Sequence, residues 1–438
     1  MPEFRTVCLG SLSAQRQGAI AIGPFGSSMK ADTYVPAGVP VIRGTNISQT
    51  RSWKGDWVYI PEALADSMPR CVVVAGDLVF PHRGSIGEVA IVPTDSTDRY
   101  FLSTSLMKIQ VDHRQADPLF VYYYFRSCEG RNEILKYGSQ VGTPGIGQPL
   151  ESLRRFCLPL PPMGMQKEIS ATLGALDDKI DLNRQINETL ETMARAIFKD
   201  WFVDFGPTRA KMEGRKPYLS PELWALFPDR LDDEGRPEGW SFDTLSEYAT
   251  LNPEAWSRAT YPEKVEYVDL SGTKWGVIHS TEIHGRDTAP SRAQRVLRHS
   301  DTIVGTVRPG NGSFGLVGRD GLTGSTGFAV LRPTNPIARE LVYLTATQPE
   351  NIERLSHLAD GGAYPAVRPE LVLATPIVRS SQDVLHAFGS CVGPIIDTTL
   401  ANLEENITLA KVRDLLLPKL MLGEISVCYA EHEVKATQ

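Results

Sequence analysis

The sequence predicts an α+β protein: two pseudo-repeated mixed α/β domains separated by two long antiparallel coiled-coil helices. Three observations point there. A set of segments recurs in the same order at an offset of about 220 residues. Each copy opens with short apolar runs punctuated by glycine, the pattern of strands joined by turns. Each copy closes on a long helical stretch, and in the first its seam residues step by alternating fours and threes, the spacing of a coiled coil.

The repeat is read from four matches. "GDLVFPHRGSIGEVAIV" (76–92) parallels "SDTIVGTVRPGNGSFGLV" (300–317), and "FLSTSLMKI" (101–109) parallels "LTGSTGFAV" (322–330). "DPLFVYYYF" (117–125) parallels "RELVYLTAT" (339–347), and "QPLESLRRFCLPLPP" (148–162) parallels "RPELVLATPIVRS" (368–380). Strands are expected over 72–74, 78–80, 89–92, 303–307 and 328–331. "LFVYYYFRSCEGRNEIL" reads as one helix, and the prolines of "LPLPP" break regular structure and reset the chain direction. The resulting division is a first domain over 1–162, a long helix over 163–205, a linker over 206–238, a second domain over 239–380, a second long helix over 381–422 and a tail over 423–438. The linker is rich in Pro, Gly and charge, with one amphipathic piece, "SPELWALFP", that reads as a docking patch.

On the first helix, expected over 166–202, the seam runs Ile169, Leu173, Leu176, Ile180, Asn183, Asn187, Leu190, Ala194, Ile197 and Trp201. Asn183 and Asn187 thus place amides where the pattern asks for apolar groups. A buried amide there lowers stability but fixes register and partner orientation, so both are read as register-setting residues. The alternative is that they turn outward on a solvated stretch. The second helix, about 382–417, runs Phe388, Val392, Ile396, Thr399, Leu403, Asn406 or Ile407, and Ala410. Gly393-Pro394 is expected to kink or restart it, and Asp383 or Ser381 to cap it. The aromatic run Phe198, Trp201, Phe202 and Phe205 either closes the local core or docks a partner helix.

A chain of 438 residues has room for two to four domains. Its net charge of −7 argues against a generic polyanion binder. The balance is +2 over 1–160, −3 over 161–237, −2 over 238–380 and −4 over the rest, and 238–380 holds twelve Arg against two Lys. Arg exceeds Lys where planar, bidentate recognition matters. The six cysteines are scattered, without metal-ligand spacing, and read as isolated reduced thiols. No apolar run approaches the roughly 18 residues of a membrane span, and the start shows no signal pattern, so a cytoplasmic location is expected.

Assembled catalytic chemistry is missing from the pattern. "GNGSFG" (310–315) matches G-x-G-x-x-G, but "LVGRDG" follows where a dinucleotide site needs a helix, so it reads as a hairpin loop. The P-loop, G-x-S-x-G and H-E-x-x-H motifs are missing, and "LPPM" lacks the flanking residues of an adenine methyltransferase motif. The eight His are dispersed; His82, His279 and His284 read as loop residues. No catalytic residue, metal ligand or cofactor loop is assigned.

What remains are loops rich in groups that read nucleic acid. The first, "GPFGSSMK" with "VPVIRGTNIS", carries Lys30, Arg43 and Asn46. Lys and Arg meet phosphate or guanine, and an Asn amide offers the paired donor and acceptor that adenine needs. The second, "FPHRGSIG", carries His82, Arg83 and Ser85, and the third, "KYGSQVGTPGIGQP", carries Gln140, Thr143 and Gln148. The second half offers Arg308, Asn311 and Ser313 in "VRPGNGSFG", and Tyr364 and Arg368 in "DGGAYPAVRPE".

"LPLPPMGMQKEISATLGALDDKIDLNRQINETLETMARAIFKDWFVDF" (158–205) resembles the central region of the specificity (S) subunits of Type I restriction–modification systems. Its Pro-rich strand end, D-x-x-I-x-x-N middle and F-x-x-W-F-V-D-F exit carry the likeness. "IAIGPFGSSMKADTYVPAGVPVIRGTNI" (20–47) is similar to the opening of that family's first target recognition domain, and "GPTRAKMEGR…LFPD…PEGW" to its inter-repeat linker. The resemblance implies a non-catalytic, DNA-binding subunit whose two target-recognition domains read a bipartite site. It implies double-stranded DNA, two methyltransferase (M) subunits and restriction/translocase (R) subunits as partners in phage defence, with no membrane. S-adenosylmethionine, ATP and Mg belong to the other subunits of such a complex. The competing expectation is a coiled-coil scaffold without sequence-specific DNA binding.

Overall fold

The computed structural model describes residues 4–26, 29, 31–47, 51, 53, 55–93, 99–139, 144–362 and 364–425. The chain forms two compact units, Met1–Leu182 with Glu405–Gln438, and Asn183–Glu404. Both divisions fall inside the long helices, which run Met163–Phe202 and Gln382–Met421.

In the first unit one sheet has the strand order Ile20–Ile22, Leu106–Ile109, Leu78–Pro81, Ala90–Ile91. A second runs Val58–Ile60, Val39–Ile42, Tyr100–Leu102, Val72–Val73, its middle pair parallel. Arg5–Cys8 pairs antiparallel with Cys157–Leu160. In the second unit the first sheet is Ala249–Leu251, Phe328–Pro333, Thr302–Gly305, Phe314–Leu316. The second sheet is Glu282–Gly285, Lys264–Val268, Leu322–Ser325, Ala293–Leu297, again with a parallel middle pair. Ser241–Thr244 pairs with Pro376–Arg379. The two units therefore share one topology, and the weak sequence repeat marks a structural duplication.

The central strands are buried on both faces, so a charge there needs a partner. In the first unit Lys108 meets Asp77 at 2.9 Å with both side chains buried. In the second, Arg332 meets the fully buried Asp301 at 2.8 Å.

The expected single helix over 119–135 is two, Pro118–Arg126 and Cys128–Leu135. Ser127 is extended between them and its Oγ accepts from Gly130 N at 3.1 Å. Gly130 lies so close to the preceding turn that a Cβ would stand 2.1 Å from Tyr124 O. The corresponding pair in the second unit is Arg339–Ala346 and Pro349–His357.

The seam of the first long helix follows the spacing at eight of its ten positions: Ile169, Leu173, Leu176, Ile180, Asn183, Asn187, Ala194 and Trp201 are buried, while Leu190 and Ile197 are half-buried. Within each unit the two helices pair antiparallel. In the first, Arg413 Nη1 donates to Asp177 Oδ1 (2.7 Å) and Lys179 meets Glu405 (3.3 Å). In the second, Phe202 packs on Phe388 with centroids 4.9 Å apart, while Asn187 reaches Thr399 and Asn402. Gly393-Pro394 does not restart the second helix, which is one continuous element with Pro394 on its exposed side. Ser381 Oγ caps it, accepting from Val384 N at 3.3 Å. This helix contains an 18-residue window of mean hydropathy 1.3, contrary to the expectation that none comes near that length. Its apolar side chains Val384, Leu385, Phe388, Val392 and Ile396 lie in the core of the second unit, and Leu409, Leu416, Leu417 and Leu420 in that of the first.

Two further expectations change. Cys8 and Cys157 are not isolated thiols: they face each other on paired strands and are joined as a disulfide. The linker is ordered, with helices Gly206–Met212 and Pro221–Ala225, and Phe227 closes edge-on over Trp201 at 5.0 Å.

Candidate nucleic-acid interface

In the first unit the turn after Leu78–Pro81 is stitched to the glycine-rich segment before the helix Pro149–Arg155. Arg83 bridges Gly145, Gly84 N donates to Pro144 O (3.0 Å) and Ile146 N to His82 O (2.9 Å). Gly84 holds φ +81°, which few side chains tolerate. This brings exposed Arg83 and Ser85 beside exposed Gln148, itself left-handed at φ +48°. The second and third sequence-predicted loops thus form one surface.

The second unit repeats the device. Val307 bridges Ala366, Val367 N donates to Thr306 O (2.9 Å) and Arg308 N to Pro365 O (2.7 Å). The Arg308 guanidinium lies 4.6 Å from the ring centroid of Tyr364, a cation–π contact on an exposed ring. Arg308 is left-handed, φ +47°. Asn311 is exposed on the same turn, and Arg368 is exposed at the start of the helix Pro369–Leu373.

Three predicted contact residues prove to be internal. Asn46 is fully buried, its Oδ1 accepting from Arg43 N at 2.9 Å, while half-buried Arg43 bonds the Asp56 carbonyl. His82 is buried, and its Nε2 donates to Thr104 O at 3.1 Å. Burial pushes its pKa below the ordinary histidine value, which keeps the ring neutral. Ser313 is buried; its Oγ donates to Leu270 O (2.9 Å) and accepts from Lys274 Nζ (3.1 Å). These side chains fix loop shape and do not face a ligand. Lys30, Gln140 and Thr143 lie outside the described residues.

The aromatic exit of the first long helix also changes role. Phe198, Trp201 and Phe202 are covered by the chain's own Phe388, Phe227 and Trp240, so they close the core and offer no docking face. Asn187 bonds the second long helix: its Nδ2 donates to Thr399 O (3.1 Å) and its Oδ1 accepts from Asn402 Nδ2 (2.8 Å). Asn183 is wholly buried on the same seam. Among the described residues no cluster of His, Cys, Asp and Glu could hold a metal ion.

One residue of this surface escaped the sequence reading. Trp275 stands at the tip of the hairpin Thr273–Lys274, Val277–Ile278, 64% exposed, and its backbone N donates to Gly312 O (2.7 Å). Its signal was an aromatic beside glycine in "TKWGV", a turn context that buries nothing.

Residues 30–192 match the family described as Type I restriction modification DNA specificity domain. The Type I restriction enzyme HindI specificity subunit of Haemophilus influenzae is 26% identical over 406 residues, covering 80% of this chain and 86% of the relative. The MjaIX specificity subunit of Methanocaldococcus jannaschii is 24% identical over 364 residues, covering 80% and 78%. The crystal structure of the Type I restriction-modification S subunit from M. genitalium superposes with a TM-score of 0.55 at 16% identity, covering 95% of this chain and 96% of that one, which shows a shared fold.

Proposed function

From the match of residues 30–192 to that specificity-domain family and the likeness to specificity subunits over 80% of the chain, we propose that this chain is a Type I restriction–modification specificity subunit and that its two units each read one half of a bipartite DNA target. The observation that carries this is the duplicated loop pair: the same turn, cross-bridged to the same glycine-rich segment, recurs on two sheets of one topology. Each copy presents an arginine with amide or aromatic neighbours, the groups that meet base edges and phosphates. Direct contact is assigned to Arg83, Ser85 and Gln148 in one unit and to Arg308, Asn311, Tyr364 and Arg368 in the other.

The long helices act as the spacer. Each has 40 residues and rises roughly 60 Å. The amides of Asn183 and Asn187 lock their alignment. Two methyltransferase subunits dock along them; Ile186 and Met193, one heptad apart and exposed, offer an apolar stripe for that contact. Restriction subunits then join. The net charge of −7 leaves phosphate attraction partly to the methyltransferases, so tight binding belongs to the complex. S-adenosylmethionine, ATP and Mg serve those partners in the cytoplasm, and this chain binds none of them.

Methylation-sensitive sequencing of DNA from cells carrying the complex tests the reading. A two-part motif with a fixed gap is expected, and adding a heptad to both helices should change the gap and leave both half-sites alone. A contiguous motif, or altered half-sites at an unchanged gap, overturns it.

A further inference from the structure

Two of the six non-glycine residues with positive φ among the described residues, Trp275 and Arg308, lie on either side of the turn Pro309–Asn311 and its neighbour Gly312 in the second unit. Trp275 adopts φ +47°, a region that bulky side chains avoid, so the surrounding structure holds it there. The holding groups are visible. Gly312 lies directly against the indole: a Cβ there would stand 2.6 Å from Cδ2 and Cε2. Phe314 meets the ring edge-on at 5.8 Å. Lys274, the preceding residue, donates to Asn311 O and Ser313 Oγ, both at 3.1 Å. The hairpin tip is thus strapped to the turn that carries Arg308 and Asn311, yet most of the indole faces solvent.

A large apolar ring, exposed and rigidly aimed beside two base-reading side chains, has a narrow range of uses on DNA. The only apolar group on the major-groove edge of a base pair is the C5-methyl of thymine. We propose that Trp275 is a specificity-determining residue that packs on a thymine methyl in the half-site read by the second unit. The proposal rests on the specificity-subunit reading above and adds a residue and a base to it. Lys274 and Gly312 are positioning residues, because they act through the indole and need no contact with DNA.

The experiment uses the full chain assembled with its methyltransferase subunits. Wild type, Trp275→Ala and Trp275→Phe are each given a DNA library randomised in both half-sites, and methylated products are sequenced. For Trp275→Ala the gap and the first half-site should be unchanged while one T·A position of the second half-site becomes degenerate; Trp275→Phe should restore much of the preference. Duplexes with deoxyuridine for that thymine lack only the methyl. Wild type should bind them roughly 10-fold more weakly than the thymine duplex, and Trp275→Ala should bind both alike. An unchanged motif for Trp275→Ala, or equal loss on all sequences from a variant with wild-type unfolding midpoint, overturns the proposal. A wild-type complex with no two-part motif overturns the specificity-subunit reading itself, and this proposal with it.

Discussion

Replacing Asn187 by alanine removes two hydrogen bonds from a nearly buried amide, one to Thr399 O and one from Asn402 Nδ2. At a net of about 1 kcal/mol per bond, plus about 1 kcal/mol for the part-buried Asn402 amide left without its acceptor, the loss is about 2–3 kcal/mol. Asn402→Ala removes one of those bonds and orphans Asn187 Oδ1, at about 2 kcal/mol. The double variant loses the shared bond only once and leaves neither amide orphaned, so its cost, about 2 kcal/mol, should fall short of the sum by about 2–3 kcal/mol. Denaturant unfolding followed by tryptophan fluorescence suits the measurement, since five of the seven tryptophans, Trp201, Trp224, Trp240, Trp256 and Trp275, lie in the unit that holds the pair. The slope with denaturant must stay constant for midpoints to be read as stability. A cycle additive to within about 0.5 kcal/mol refutes the bond. Asn187→Leu with Asn402→Leu supplies the second arm. An apolar pair of similar volume should match or exceed wild-type stability. With the amides gone the helices can slip, so the gap of the methylated motif should broaden; a gap as sharp as wild type refutes register-setting.

In the first unit, Arg413→Met leaves Asp177 buried with only the Tyr123 hydroxyl (2.8 Å) and should cost about 3–5 kcal/mol, most of it regained on adding Asp177→Leu; a cost near zero in the same unfolding assay contradicts the buried pair. Arg298 and Arg332 hold the Glu254 carboxyl down to about 2, so its stabilising effect is complete above pH 4.5 and fades as pH falls toward 2. Melting temperature against pH should drop over that interval in wild type and less steeply in Glu254→Gln; parallel curves contradict the assignment. Burial depresses the His82 pKa, so folding favours the neutral ring and His82 contributes stability above pH 6.5 that is lost as pH falls below it. His82→Gln should flatten that limb, and an unchanged slope would show that the ring titrates freely.

The duplication was legible because it rests on pattern: largely apolar strands, the acids Asp77 and Asp301 at matching places in the repeated segments, and a helix seam of fours and threes. Burial of Asn183 and Asn187 followed from their seam positions alone. The direction of polar loop side chains did not. Asn46 and Arg43 stand in one turn, and the local sequence is the same whether the amide points outward or accepts from its own backbone. The Cys8–Cys157 pairing depends on the register of strands 149 residues apart, which spacing does not encode. Phe198, Trp201 and Phe202 looked like a surplus of apolar surface only because Phe227 and Trp240 reach them through a segment that composition reads as a linker. Gly393-Pro394 ends helices as a pair in isolation, yet continuous packing on both sides carries the helix through it.

The acid turn shows how the frame and the reading surface separate. Asp77 Oδ2 accepts from Val74 N (3.3 Å), and Asp301 Oδ2 accepts from Arg298 N (2.8 Å), each closing the turn three residues before it. The cation differs: Lys108 reaches Asp77 from the strand Leu106–Ile109, while Arg332 reaches Asp301 from two positions beyond Val330, the residue opposite Ile303. The two units thus satisfy one demand, neutralising a buried carboxylate under a sheet, with different residues. Nothing in that demand involves the turn that follows the next strand, where Arg83 and Ser85 stand in one unit and Arg308, Asn311 and the strapped Trp275 in the other. Loop chemistry can diverge there while the buried pair, the sheet order and the seam stay fixed, which is the condition under which one fold acquires a new target without refolding.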